Sequence, residues 1–261
     1  MCYRDGVRPV ALTIAGSDPS GGAGLQADLA VFAVFGVHGT SVATALTVQD
    51  TRAVRAVAPV AADVVRAQLD AVLGDFDVRA AKTGMLHRAE VVTAVAERLS
   101  VAALVVDPVA AASDGTALLD EDGIDAVRRL LVPLATVITP NLREAELLVE
   151  RPVRDPEEMR AAARALVELG ARAALVKGGH LAGDAVDVFY DGHEFRELTA
   201  PRTSGGAVHG TGCALSAAIA AQLAAGRDLP DAIAEAKRFV TRAIAGAMAI
   251  GGGARLLDLR R

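Results

Sequence analysis

The sequence predicts an α/β protein built in three layers, with helices on both faces of a mostly parallel sheet. Three observations carry this. Short runs of Val, Ala and Leu recur, each followed by a glycine-bearing turn and then by apolar residues at helical spacing, the alternation of strand–helix–parallel strand units. Composition is 52% hydrophobic but only 3% aromatic with no Trp, so the core must be filled by Ala, Val and Leu, which suits Ala-rich helices around Val-rich strands. No Pro/Ser-rich linker, low-complexity tract or internal repeat interrupts the pattern. Residues 1–261 therefore read as one domain, with 1–8 expected to be a flexible N-terminus.

VALTIA (Val10–Ala15) reads as the first strand, GSDPSGGAG as a glycine-rich turn, and Leu25–Phe35 as the first helix. Ser41–Val48 is rich in Val, Thr and Leu and reads as a strand, VRAVAPV (54–60) as a short edge strand, and Ala61–Leu73 as a helix. DVRAAKTGML (77–86) is a strand with its exit loop. Helix Ala89–Leu99, strand Ala103–Pro108, helix Asp122–Leu131 and strand Thr136–Pro140 continue the alternation, and ALVKGG (Ala174–Gly179) follows another helix. In AVDVFYDGHEFREL the pattern changes to two strands around Asp191-Gly192, a hairpin dipeptide. Helices Thr211–Ala225 and Pro230–Ala249 close the chain.

The formal charge of -5, from 27 Lys and Arg against 32 Asp and Glu, is spread along the chain and leaves no footprint for nucleic acid or anionic lipid. A small-molecule partner is the expectation. Cys2 and Cys213 form neither a disulfide framework nor a metal-ligand pattern, so a reduced cytoplasmic setting is expected. MCYRDGVRPV lacks an apolar signal core, and no apolar run approaches the roughly 20 residues of a membrane span.

In open parallel sheets ligands bind beyond the carboxyl ends of the strands, where this chain places GSDPSGGAG, VQDT, KTGM, DPV, TPNLRE and KGGH, with HGTGC leading into a late helix. Polar, glycine-bearing exits on one edge describe a cleft for a polar ligand carrying phosphate. The helix starting at Thr211 offers free backbone N–H groups and a partial positive charge, the glycines let the backbone approach an anion, and the same helix end is expected to lower the Cys213 thiol pKa. The alternative is that Gly210 and Gly212 only cap a helix and Cys213 is a small core residue. GSDPSGGAG fits neither the Walker nor the Rossmann fingerprint.

GSDPSGGAGLQAD (Gly16–Asp28), TALTVQDT (Thr44–Thr51), KTGML (Lys82–Leu86), VVDPV (Val105–Val109), TPNLREAELL (Thr139–Leu148), VKGGH (Val176–His180) and HGTGC (His209–Cys213) occur in family order. From about Pro9 to about Gly253 the chain resembles hydroxymethylpyrimidine/phosphomethylpyrimidine kinases, thiamine-pathway members of the ribokinase-like superfamily. The resemblance implies a ribokinase-like fold that transfers the γ-phosphoryl group of ATP to 4-amino-5-hydroxymethyl-2-methylpyrimidine and then to its monophosphate, as a homodimer needing Mg²⁺. It further implies that Asp28 and Gln49 hydrogen-bond the substrate, that Gly16, Ala23, Met85 and Val109 shape its pocket, and that Cys213 sits by the hydroxymethyl oxygen, at an anion hole of Gly210, Thr211, Gly212 and Cys213. Asp107 and Glu144 would serve Mg²⁺, and Asn141 and Lys177 would serve ATP.

Other readings accompany several of these residues. Asn141 and Glu144 also form a capping-box pair, Lys177 is also readable as a solvated strand-end lysine, and Gln49 as a loop glutamine. The five histidines show no ligand spacing, so His180 and His209 read as loop residues near nucleotide or substrate, and Lys82 as a structural strand-end lysine. TSGGAV (203–208), Ala214, the region of Ser113 and GGGA (251–254) depart from the family pattern, which bears on nucleotide contacts and lid closure. A pyridoxal kinase of the same branch, against which Gln49 argues, and a non-catalytic ligand-binding protein on this fold are the rivals.

Overall fold

The structure, a computed structural model, describes residues 8–112, 114–179, 181, 185–202 and 206–260. The expected flexible N-terminus (apart from Arg8), Cys2, Ser113, His180 and positions 203–205 of the divergent loop lie outside the described residues.

The chain alternates strands and helices as the sequence predicts: β1 Val10–Ser17, α1 Gly24–Val34, β2 His38–Gln49, β3 Val54–Pro59, α2 Ala62–Asp75, β4 Val78–Thr83, α3 Ala89–Arg98, β5 Ala103–Val106, α4 Glu121–Ala126, β6 Val137–Ile138, α5 Leu142–Val149, α6 Pro156–Glu168, β7 Ala174–Lys177, β8 Ala185–Tyr190, β9 Phe195–Ala200, β10 Val208–His209, α7 Thr211–Ala224, α8 Leu229–Ala245 and β11 Arg255–Leu256. A nine-stranded sheet runs β3-β2-β1-β4-β5-β6-β7-β8-β9, parallel from β2 to β7 and antiparallel at β3, β8 and β9.

Both faces of the sheet are covered, so the strands read as nearly continuous apolar runs whose side chains alternate between two cores. Leu12, Ile14, Val106, Ile138 and Val176 meet α2, α3, α5 and α6 on one face, while Ala11, Val105, Val137, Leu175 and Phe189 meet α1, α7 and α8 on the other. The low aromatic content has its consequence in α7, where every residue from Ala214 to Ala221 is buried. A helix apolar on all sides belongs in an interior, and its alanines let it lie close to the sheet and to α8.

Side-chain caps open α5, α6 and α8. Asn141 and Glu144 form the full capping box of α5, Asp155 caps α6 ahead of Pro156, and Asp228 caps α8 ahead of Pro230. Differences from the sequence reading are local. The helix expected over Asp122–Leu131 is α-helical only to Ala126 and continues as one π turn and one 3₁₀ turn ending at Leu134, because Pro133 lacks an N–H and crowds the preceding turn. α8 ends at Ala245 rather than Ala249, with Gly246 at its end. The hairpin closes through a four-residue turn, Asp191 to Glu194, in which Asp191 Oδ1 accepts from the His193 and Glu194 N–H groups. The parallel pair β10–β11, unanticipated in sequence, ties the C-terminal segment to the strand before α7.

Candidate active site

Strand order reverses at β1, since the chain steps from β1 to β2 on one side and later to β4 on the other, and such a switch point opens a crevice at the carboxyl edge. α7 packs across β1, β4 and β5, and its first turn ends in this crevice. Gly210 sets that position: its φ is +81°, and a Cβ there would lie 1.8 Å from the Gly22 carbonyl oxygen, so only glycine lets α7 begin against the loop after β1. The first intrahelical bond runs from Ala214 N–H to Gly210 O, which leaves the earlier N–H groups of the turn for a ligand. A Cβ on Gly212 would meet Lys177 Nζ at 3.2 Å and Asp107 Oδ2 at 3.9 Å. Helix terminus and ammonium therefore face the same small space, which is suited to an anion.

Lys177 is 15% exposed and pairs with Asp107 at 2.9 Å, so it is no solvated strand-end lysine. Asp107 also accepts from Ser216 Oγ at 3.0 Å and Thr139 Oγ1 at 3.3 Å. Burial pushes the Asp107 carboxyl up, but the Lys177 and Lys82 ammoniums outweigh it and hold it below the carboxylate range. Glu144, whose Oε2 accepts from the Asn141 N–H at 2.8 Å, is pushed up to about 7, chiefly by burial, with Lys177 opposing and the Asp107 charge adding to it. The folded state thus binds this proton more tightly than an ordinary carboxyl at 4.5 does. Its contribution to stability is complete below about pH 4.5 and is lost as pH rises through about 7. Glu144→Gln keeps an acceptor for the cap, and in chemical denaturation from pH 5 to 8 it is expected to flatten the stability profile, gaining up to roughly 3 kcal/mol on the parent at pH 8. A parallel decline in both proteins would contradict the assignment.

Cys213 faces the N-terminus of α1 as well, where the Gly24 N–H points at its sulfur. The expectation of a lowered thiol pKa does not hold: it is pushed up to about 11, chiefly by burial, and the Asp28 and Asp107 charges add to this while Lys82 opposes. At neutral pH Cys213 is a thiol. Fully buried, Asp28 places Oδ2 2.7 Å from Lys82 Nζ and 2.6 Å from Thr13 Oγ1, while its Oδ1 has no hydrogen-bond partner among the described residues. Lys82, which reads in sequence as a structural lysine at a strand end, is the charge that holds it there.

Gln49, at the end of β2, lines a cleft of about 390 Å³ together with Pro19, Ser20, Arg52, Ile250 and Leu256. Gln49 Nε2 lies 3.1 Å from His209 Nε2, which is 2.9 Å from Asp18 Oδ2. Burial raises the Asp18 pKa, yet the bonds from His209 and Ser20 outweigh it and hold it low. Gly16, Met85 and Val109 come together as expected: a Cβ on Gly16 would touch Met85 Sδ at 3.0 Å, and Val109 packs on the cluster of Ala45, Met85 and Leu118. Ala23 sits at the junction of α1 and α7, its N–H bonded to Asp18 and its Cα 3.4 Å from the Cβ position of Gly210. The sequence reading missed the linking role of His209; its place before the helix-start glycines was the available signal.

Comparison with known proteins gives the family and the fold. The sequence profile described as "Phosphomethylpyrimidine kinase" matches residues 18–258. The hydroxymethylpyrimidine/phosphomethylpyrimidine kinase of Streptomyces coelicolor is 48% identical over 247 residues, 94% of this chain and 92% of that one. The thiamine biosynthesis bifunctional protein ThiED of Geobacter sulfurreducens is 47% identical over 93% of this chain and 50% of its own length. Among solved structures, an ADP complex of Bacillus subtilis pyridoxal kinase superposes with a TM-score of 0.90 at 36% identity, covering 96% of this chain and 97% of that one. With this match over most of its length and its ribokinase-like sheet, the chain belongs to the phosphomethylpyrimidine kinase family.

Proposed function

We propose that this kinase transfers the γ-phosphoryl group of ATP to the hydroxymethyl oxygen of 4-amino-5-hydroxymethyl-2-methylpyrimidine, and then phosphorylates the monophosphate, in thiamine biosynthesis. The observation that carries the reading is the meeting of the α7 first turn with the Lys177 ammonium, beside a cleft lined by Gln49. Phosphoryl transfer asks the protein mainly for positioning and charge stabilisation. Here the free N–H groups of Thr211, Gly212 and Cys213 and the ammonium of Lys177 stabilise charge on the transferred group, while Asn141 and Lys177 hold the other ATP phosphates. The O–P bond to the acceptor forms as the β–γ bridge breaks, ADP leaves with the electron pair, and the acceptor's hydroxyl proton passes to an oxygen of the transferred phosphoryl group and on to solvent. A thiol with a pKa of about 11 orients the acceptor hydroxyl rather than taking its proton. Gly16, Ala23, Met85 and Val109 wall the ring, and Gln49 supplies both a donor and an acceptor to its nitrogen edge. Asp28 acts from beneath, through Lys82.

The donor set suits Mg²⁺. Among the described residues no three His, Cys, Asp or Glu side chains gather as a closed metal cage, and two carboxylates with room for water are what this ion takes. The buried Glu144 is pushed toward its neutral form by desolvation and by the Asp107 charge, despite Lys177, and a cation beside the two carboxylates would relieve both. Asp107 and Glu144 would hold the ion through its waters, where it would neutralise phosphate charge. A cytoplasmic homodimer belongs to the same proposal; among the described residues no helix is long and apolar enough to cross a membrane, and Leu46 and Val48, 54% and 58% exposed, offer an apolar surface for pairing.

Pyridoxal phosphorylation is the second reading, favoured by the superposition on a pyridoxal kinase. A coupled ADP-release assay with the pyrimidine alcohol, its monophosphate and pyridoxal separates the two. Both pyrimidines are expected to turn over, with kcat/KM for pyridoxal at least about 10-fold lower. A preference for pyridoxal would reverse the assignment, and binding of ATP without turnover would point to a non-catalytic protein.

A further inference from the structure

Hydrogen-bond valence around Gln49 gives His209 a role that rests on the pyrimidine reading above. The His209 Nε2 faces two partners at once, Asp18 Oδ2 at 2.9 Å and one arm of the Gln49 amide at 3.1 Å. Asp18 is 3% exposed and already accepts from the Ser20 N–H, Ser20 Oγ and the Ala23 N–H, so it meets the ring as a carboxylate that can only accept. His209 Nε2 therefore carries hydrogen. A ring nitrogen that donates has no lone pair for an amide N–H, and the Gln49 atom facing it must be oxygen.

The other arm of the amide leads to the same assignment independently. Thr47 Oγ1 lies 2.9 Å from the Ser17 carbonyl and 3.2 Å from Gln49. Its single hydrogen goes to the carbonyl, which can only accept, so toward Gln49 it offers a lone pair and the atom opposite is the amide nitrogen. Oxygen and nitrogen of an amide are isosteric, and only this orientation puts a hydrogen in every contact, the single Nε2–H of His209 being shared between Asp18 and the Gln49 oxygen.

We propose that His209 is a positioning residue for substrate selection: its Nε2–H, anchored on Asp18, locks the Gln49 amide with its acceptor toward α7 and its donor toward Thr47. The order is what the ligand reads. With the hydroxymethyl oxygen before the first turn of α7, the ring edge presents the 4-amino group next to the hydroxymethyl-bearing carbon and then ring N3. The amino group meets the free lone pair of the amide oxygen, and N3 meets the free amide N–H. In the 4-oxo counterpart, carbonyl and N3–H stand in the reverse order and both contacts fail, the situation that gives strong discrimination in a closed site.

The test compares kcat and KM of the full chain for the aminopyrimidine alcohol and its 4-oxo counterpart. The parent is expected to favour the amino compound by at least ~10³ in kcat/KM. His209→Leu, which fills the ring volume without a donor, frees the amide to turn. It is expected to cut that ratio at least ~30-fold, through KM for the aminopyrimidine, with kcat within a few-fold. His209→Gln returns an N–H to the same region and is expected to restore the ratio to within ~3-fold. An unchanged ratio in His209→Leu overturns the proposal. ¹⁵N NMR of the His209 ring in the free protein decides the hydrogen assignment by itself: a proton on Nε2 supports it, and a neutral ring protonated only on Nδ1 overturns it. Absence of aminopyrimidine turnover in the parent would remove the functional reading, while this NMR result would still stand or fall alone.

Discussion

Gly212→Ala is expected to lower kcat/KM by about 10²–10³-fold while the melting temperature stays within a few degrees of the parent. The backbone at Gly212 is compatible with a side chain, and a new methyl would press only on the end of a lysine, 3.2 Å away, so the fold tolerates it. It would, however, occupy the space between the helix terminus and Lys177 that a transferred phosphoryl group needs. Cys213→Ala, by contrast, is expected to cost no more than several-fold in turnover, since a thiol with a pKa of about 11 contributes orientation and the neighbouring N–H groups remain. Steady-state kinetics on the two variants test the ranking. A large loss in Cys213→Ala beside a mild one in Gly212→Ala would move the chemistry from the backbone to the sulfur.

Lys82→Met should destabilise the protein by about 3–5 kcal/mol in urea titrations, the usual effect of stripping one partner from a buried ion pair. Both members are fully buried, and among the described residues Asp28 Oδ1 has no hydrogen-bond partner, so within the protein the carboxylate relies on Lys82 and Thr13 at its other oxygen. Burial acts to lower the Lys82 pKa, yet the charges of Asp28 and Asp107 help to leave it raised, which fits an ammonium that stays ionised in the interior. Adding Asp28→Leu to Lys82→Met removes the stranded charge and is expected to recover most of the loss. A loss under about 1 kcal/mol in the single variant would show that the pair carries little of the fold.

The layered fold was legible because it rests on local signals: apolar strands ending in glycine turns, and the Asn141–Glu144 cap at a helix start. The helix start proposed to hold the phosphoryl group was legible for the same reason, since Gly210 to Cys213 is a contiguous stretch whose glycines and helix onset are read locally. Partnerships between distant residues were not legible. Whether Lys82 is solvated or buried depends on α1 delivering Asp28 from 54 positions away, and the Cys213 thiol takes its pKa from burial that no neighbouring residue announces. His209 looked like a loop histidine until β1 and β2 brought Asp18 and Gln49 to it. The β10–β11 pair was invisible because two-residue strands leave no periodicity to read.

A crystal structure of the chain with ADP, magnesium, aluminium fluoride and the pyrimidine alcohol tests the central geometry most directly. The fluoride ligands should lie about 3 Å from the N–H groups of Gly212 and Cys213 and from Lys177 Nζ, with the acceptor oxygen in line. Should the phosphoryl mimic bind more than about 6 Å from that helix end, beyond the reach of any hydrogen bond from it, the first turn of α7 would be a structural cap and no part of the transfer.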